Sequence, residues 1–119
     1  MSLAGKIKLP YEIQLIKTLL NSNVVIVASA GNYGYDLNKM GCIVWPACAD
    51  PRIFVIGNSE SSDSNIGSVV DEYIDGNYAF GGGITMSGTS QAAAIFTGRA
   101  VAKALEIARK EKESKNENK

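Results

Sequence analysis

Val24-Val25-Ile26-Val27-Ala28 is a run of five apolar residues, four of them β-branched, with no polar residue interrupting it. A strand with one wet face alternates polar and apolar positions, whereas an unbroken run belongs to a strand covered on both faces, as in parallel sheets between helices. The run therefore predicts a buried parallel strand and a layered α/β fold. The stretch before it agrees. After Pro10, which is tolerated at or just before a helix start, Ile13, Ile16, Leu19 and Leu20 recur at helical spacing and predict an amphipathic helix over Tyr11 to Leu20. Asn21-Ser22-Asn23 is a polar turn between the two.

Outward from the first strand, Ala30 to Ala49 holds Gly31, Gly34, Gly41 and Pro46 among polar residues and reads as a long loop, a frequent carrier of function in compact domains. Ile53-Phe54-Val55-Ile56-Gly57 predicts a second strand. Asn58 to Ser68 is rich in Ser, Asn, Asp and Gly, whose side chains favour turns, and Glu72 to Ile74 reads as a short third strand. Gly81-Gly82-Gly83 gives flexible backbone before Ile84-Thr85-Met86. Ser87-Gly88-Thr89-Ser90 then leads into the small-residue stretch Gln91 to Ala108, where Ala94, Gly98, Val101, Leu105 and Ala108 share one helical face. Its first turns are small or apolar almost all round, which predicts a helix packed within a core, with Ser90 at its N-terminus. Lys110 to Lys119 contains no apolar residue to offset the entropy of ordering and reads as a solvated tail. The reading is one structured portion, 1–108, and a charged, disordered tail, 109–119.

A chain of 119 residues, 45% hydrophobic and 20% charged, falls in the ordinary range for one globular domain. Twelve basic residues balance twelve acidic ones, so nucleic acid and anionic membrane are not expected partners. No apolar run reaches the roughly 18 residues of a membrane-spanning helix, and Met-Ser-Leu-Ala-Gly-Lys lacks the apolar core of a signal peptide; localisation stays open. Met1 to Leu3 reads as a cloning remnant. Cys42 and Cys48 are too few for a disulfide framework and have no partners for zinc, so they are read as free structural thiols. The chain contains no histidine, the usual general base near neutral pH.

Four pieces in order, Val25-Ile26-Val27-Ala28-Ser29-Ala30-Gly31-Asn32, Trp45-Pro46-Ala47, Val55-Ile56-Gly57 and Ser87-Gly88-Thr89-Ser90-Gln91-Ala92, resemble the C-terminal part of the catalytic domain of subtilisin-like serine peptidases, the subtilases. The resemblance spans roughly Tyr11 to Ala108. It implies part of a three-layer α/β fold with a mainly parallel sheet and a central helix that starts at the nucleophile. Carried over residue by residue, it makes Ser90 the nucleophile and Asn32 the side-chain donor to the oxyanion, and it puts Ser29, Ala30 and Gly31 on one wall of the primary specificity pocket. The chemistry suits the residues: a serine at a helix N-terminus has an unpaired N–H and sits in the positive end of the helix dipole, which favours the oxyanion formed on attack. The implied substrate is a peptide or protein. The family's Asp and His motifs lie upstream of this region, and the proline that usually follows the serine motif is replaced here by Ala93, Ala94 and Ile95.

A serine hydroxyl without an adjacent base is a poor nucleophile, so the chain is expected to be an inactive fragment of a serine endopeptidase that needs the missing N-terminal part of the domain. The alternative is a non-catalytic scaffold that binds peptides or proteins. Lacking the remaining strands, the chain exposes apolar edges, and self-association is expected. Other readings are weaker. Ser90 taken alone is a helix N-cap. Gly83 to Ser90 has the glycine spacing of a phosphate loop, but Thr89 stands where the lysine belongs. No cofactor is expected; the resemblance allows calcium, yet Asp36, Asp63, Asp71, Glu72 and Asp75 fit no calcium-loop signature, and no metal site is identified.

Overall fold

The computed structural model describes residues 1–117. In chain order the elements are α1 (Pro10–Asn21), β1 (Val27–Ser29), α2 (Leu37–Met40), β2 (Phe54–Asn58), β3 (Glu72–Ile74), β4 (Ala79–Gly81), β5 (Ile84–Met86) and α3 (Thr89–Glu117). β1, β2 and β3 form a parallel sheet in that order, with Val27 opposite Phe54 and Ile56 opposite Glu72. Parallel neighbours need a crossover connection, and these are the long segments 30–53 and 59–71. β4 and β5 form a separate antiparallel hairpin whose two-residue turn, Gly82-Gly83, takes φ of 59° and 80°, angles that glycine adopts without steric cost.

Strand alternation divides the core into two. Ile26, Ala28, Ala30 and Val55 point to one face, where Ile16 and Leu20 of α1 cover them. Val27, Ile56 and Ile74 point to the other, against Ala92 and Ala93 of α3. The fold is thus α/β, helix on sheet on helix, as the β-branched runs predicted. Small residues on the first turns of α3 let its backbone lie close to the sheet. Gly76 marks the closest point, since a Cβ there would stand 2.4 Å from the Gly88 carbonyl oxygen.

The structure departs from the sequence reading in four places. Val24 and Val25 are not in the strand and are 43% and 71% exposed, because a strand exists only where a neighbour supplies hydrogen bonds and β2 begins opposite Val27. The helix read to end at Ala108 continues to Glu117. Local ion pairs, Glu106 with Lys110 and Arg109 with Glu113, at i,i+4 spacing, support helix without burial, so the stretch expected as a solvated tail is helical through Glu117; residues 118 and 119 lie outside the described residues. Cys42 and Cys48, expected as free thiols, form a disulfide with Cα atoms 5.6 Å apart. Met1 to Leu3, read without a structural role, lies along the sheet: the Met1 amino group donates to the Val27 carbonyl and Ser29 N–H donates to the Met1 carbonyl at 3.2 Å, a parallel pairing along the outer edge of β1.

Candidate active site

β1 ends at Ser29, and the chain turns through Ala30, Gly31 and Asn32 beside the start of α3. Gly31 has φ of 97°, and a Cβ there would stand 2.6 Å from the Asn65 amide nitrogen, so the turn needs glycine both for its backbone angle and for space. Two hydrogen bonds between residues far apart in sequence join turn to helix. Gly31 N–H donates to Thr89 Oγ1 at 3.2 Å, and Thr89 N–H donates to Asn32 Oδ1 at 2.9 Å. The second bond orients the Asn32 amide. With Oδ1 committed to Thr89, the NH2 group of the exposed Asn32 has no hydrogen-bond partner among the described residues.

Asn65, fully buried, holds the same turn from behind. Its Nδ2 donates to the Ala30 carbonyl at 2.8 Å, its Oδ1 accepts from Tyr33 N–H and Tyr35 N–H at 3.2 and 2.9 Å, and its own N–H donates to the Gly31 carbonyl at 2.9 Å. A buried amide so completely used fixes the backbone on both sides of Asn32.

Ser90 lies in the first turn of α3, half-buried. It is not the N-cap: its hydroxyl donates to the Ser2 carbonyl at 2.7 Å, and the Ser2 hydroxyl donates to the Ser90 carbonyl at 3.0 Å. The Ser29 hydroxyl donates to the Leu3 carbonyl at 3.1 Å. These contacts bring the N-terminal segment across from Asn32 and leave a cleft of about 260 Å³ walled by Leu3, Ala4, Gly31, Tyr33, Thr89 and Ser90. Among the described residues, no carboxylate and no basic side chain lines it. Beyond it, Lys6 Nζ stands 4.6 Å from the Tyr33 ring centre and 5.0 Å from that of Tyr35, a cation–π contact, and the hydrogen bond with Tyr35 raises the Lys6 ammonium above its ordinary pKa. The cleft can admit an uncharged side chain. Asn32, Ser90 and the first turn of α3, which carries the positive end of the helix dipole, border it together.

Of the residues singled out from sequence, Ser90, Asn32, Ser29 and Gly31 line this one cleft. Ala30 does not: it is fully buried in the α1-side core, its N–H donating to the Ile56 carbonyl and its carbonyl accepting from Asn65. Three features escaped the sequence reading. Asn65 looked like any residue of a turn-rich stretch, Thr89 like a spacer in the serine motif, and Met1 to Ala4 carries no periodicity. The stretch with phosphate-loop spacing is the hairpin turn and strand β5, where the Ser87 hydroxyl accepts from Tyr78 N–H at 2.8 Å. Among the carboxylates considered for calcium, Asp36 caps α2, Asp71 accepts from Val55 N–H and Asp75 from Asn77 N–H. Among the described residues, no three His, Cys, Asp or Glu side chains gather as a metal site would require.

No family model and no curated protein matches the chain. Solved structures do. One is described as the prenylagaramide maturation protease PagA, at 24% identity and TM-score 0.69, covering 88% of this chain and 41% of that one. Another is described as a lanthipeptide protease, at 18% identity and TM-score 0.62, covering 78% of this chain and 42% of that one. At such identities the likeness establishes the fold, which is that of part of these protease domains. The chain spans about two-fifths of their length. The subtilase assignment made from the sequence is corrected accordingly: no family model supports it, and the two structures above, described as a maturation protease and a lanthipeptide protease, are related to this chain at the level of fold. Four short motifs in order anticipate the fold, because turns and small-residue helix starts are dictated by packing, and do not by themselves establish descent.

Proposed function

We propose that this chain is the nucleophile-bearing part of a protease domain that processes peptides or proteins through an acyl-enzyme. The observation that supports the reading is the joint at Thr89, whose hydrogen bonds tie the Asn32 turn to the N-terminal turn of α3, with Asn32 and Ser90 lining one cleft. Ser90 Oγ attacks the scissile carbonyl carbon and its proton passes to a base; the carbonyl oxygen becomes an oxyanion that Asn32 Nδ2 and the Ser90 N–H stabilise. The C–N bond then breaks, the amine leaves with the proton, and water hydrolyses the ester. Ser29, Gly31 and Leu3 wall the pocket for the residue before the scissile bond. The reaction so written needs no cofactor.

In this reading the base comes from another part of the domain: the chain has no histidine, and among the described residues no carboxylate or basic side chain lines the cleft. In the reading proposed here, the rest of the protease domain supplies a general base and its orienting partner. A face able to receive it is present: an apolar groove of about 450 Å³ between Val25, Phe54, Phe96 and Val101. A second groove, of about 410 Å³, lies beneath Leu15 and Leu19. Without that part, the same face favours self-association. No helix among the described residues is long and apolar enough to cross a membrane.

The test is labelling with a fluorophosphonate probe, of the chain alone and mixed with the complementing part of the domain, with Ser90→Ala as control. Label at Ser90 in the mixture alone is the expected result. Absence of label from a folded mixture would replace this reading with that of a peptide-binding scaffold whose serine hydroxyl is permanently committed to the Ser2 carbonyl.

A further inference from the structure

We propose that the Cys42–Cys48 disulfide is a thiol–disulfide exchange site, with a dithiol as co-substrate, and that its state sets the order of the cleft wall beside Ser90. The pair closes a loop of which Cys42 is exposed and Cys48 half-buried. Exposed disulfides are the exchangeable ones. Between the two sulfurs stand the two residues through which this loop touches the site. Val44 is fully buried, and its Cγ1 would lie 3.3 Å from a Cβ at Gly31, so it packs beneath the turn that carries Asn32. Trp45 exchanges both main-chain hydrogen bonds with Gly5, N–H to carbonyl in each direction at 2.8 Å. Gly5 follows directly on Leu3 and Ala4 of the cleft wall. Lys8, three residues beyond Gly5, stands 5.1 Å above the Trp45 ring.

The strap, residues 1–5, is held at its start by the edge of β1 and by the reciprocal Ser2–Ser90 bonds, in its middle by the Ser29 hydroxyl on the Leu3 carbonyl, and at its end by Trp45. The start is tied to the sheet and to α3, whereas the end depends on the loop between the cysteines, which has no strand of its own and is seated on the α1-side core through Ala47 and the adjoining Ala49. Cutting the loop's cross-link releases conformational freedom into that anchorage first. In the exchange, a thiolate of the dithiol attacks Sγ of Cys42 and the S–S bond breaks, with Cys48 leaving as a thiolate that takes up a proton. The second thiol of the reagent then attacks the mixed disulfide and frees Cys42. The protein gains two electrons and two protons, and the dithiol becomes a disulfide.

The inference rests on the proposed protease reading only in naming the wall as part of a substrate cleft, and its test does not use catalysis. The 119-residue chain is treated with dithiothreitol, thiols are counted by alkylation and mass, and amide hydrogen exchange is followed at Gly5 and Trp45, with Val55 as an internal reference in the sheet. Fluorescence of Trp45, the only tryptophan, reports in parallel. Reduction is expected to speed exchange at Gly5 and Trp45 about tenfold while Val55 is unchanged, and Cys42→Ser/Cys48→Ser is expected to show the fast rates with or without the reagent. Three results would overturn the proposal: two alkylatable thiols before any reductant, a folded chain whose disulfide resists the reagent, or reduction that leaves Gly5 unchanged or speeds Val55 equally.

Discussion

The two ends of α3 are built on opposite principles. At its start, Thr89, Ala92 and Ala93 are buried, Gly76 and Gly88 let the backbone touch β3's exit, and the Thr89 hydrogen bonds reach nearly sixty residues back in the chain. From Thr97 to Glu117 every residue is exposed, in a helix whose 29 residues span about 43 Å at the α-helical rise. One end is determined by what it packs against, and the other by propensity and i,i+4 pairs. The difference teaches where mutations matter. A perturbation at the start propagates to Asn32 and Ser90, and one at the far end stays local.

Gly76→Ala is the most direct way to break the contrast. Its methyl would stand 2.4 Å from the Gly88 oxygen and 2.9 Å from the Ala92 nitrogen, backbone atoms that cannot move aside. A loss of about 3 kcal/mol is expected in urea unfolding. Asn65→Ala leaves the Ala30 carbonyl and the Tyr33 and Tyr35 N–H groups without their partner and should cost about 2 kcal/mol, with faster amide exchange at Tyr35. Thr89→Val keeps the shape but removes the acceptor for Gly31 N–H; about 1 kcal/mol is expected, and Thr89→Ser should restore most of it. If Thr89→Val proves neutral, the joint on which the proposed chemistry rests is weaker than its geometry.

The ion pairs sharpen the same comparison. Asp50 accepts from the Arg52 guanidinium through both oxygens at 3.0 Å, and Arg52 also reaches Asn21 of α1. The hydrogen bond to Arg52 lowers the Asp50 carboxyl from 3.8 to about 2. A depressed carboxyl pKa means stability present above the ordinary value and lost as pH falls through the lowered one. An acid titration of stability should therefore show a loss between pH 3.8 and about 2 that is absent in Asp50→Asn. The Arg109–Glu113 and Glu106–Lys110 pairs are exposed at both partners. Their removal should change global stability by less than about 0.5 kcal/mol, visible only as lower helix content by circular dichroism.

Much of this was legible in the residues. The β-branched runs Val24 to Ala28 and Ile53 to Gly57 announced buried strands to within a few positions, Pro10 placed the start of α1, and Ser90 and Asn32 were picked out as a pair that the structure does bring to one cleft. Ala30 was misplaced because strand alternation, not sequence adjacency, decides which side of a turn meets solvent. The helix end was misread because a polar stretch was taken as lacking any reason to order, when paired charges at i,i+4 are such a reason. The disulfide was missed because cysteine pairing depends on a distance through space that spacing alone does not state.

The sequence by itself determined the local choices: which stretches could be strand or helix, where glycine had to turn the chain, and that no histidine would be available. Only the tertiary structure decided which of those pieces meet. Met1 to Ala4 became a wall, Asn65 a hub and Thr89 a joint because long-range hydrogen bonds and burial selected them. Those interactions depend on positions in space that no local pattern encodes.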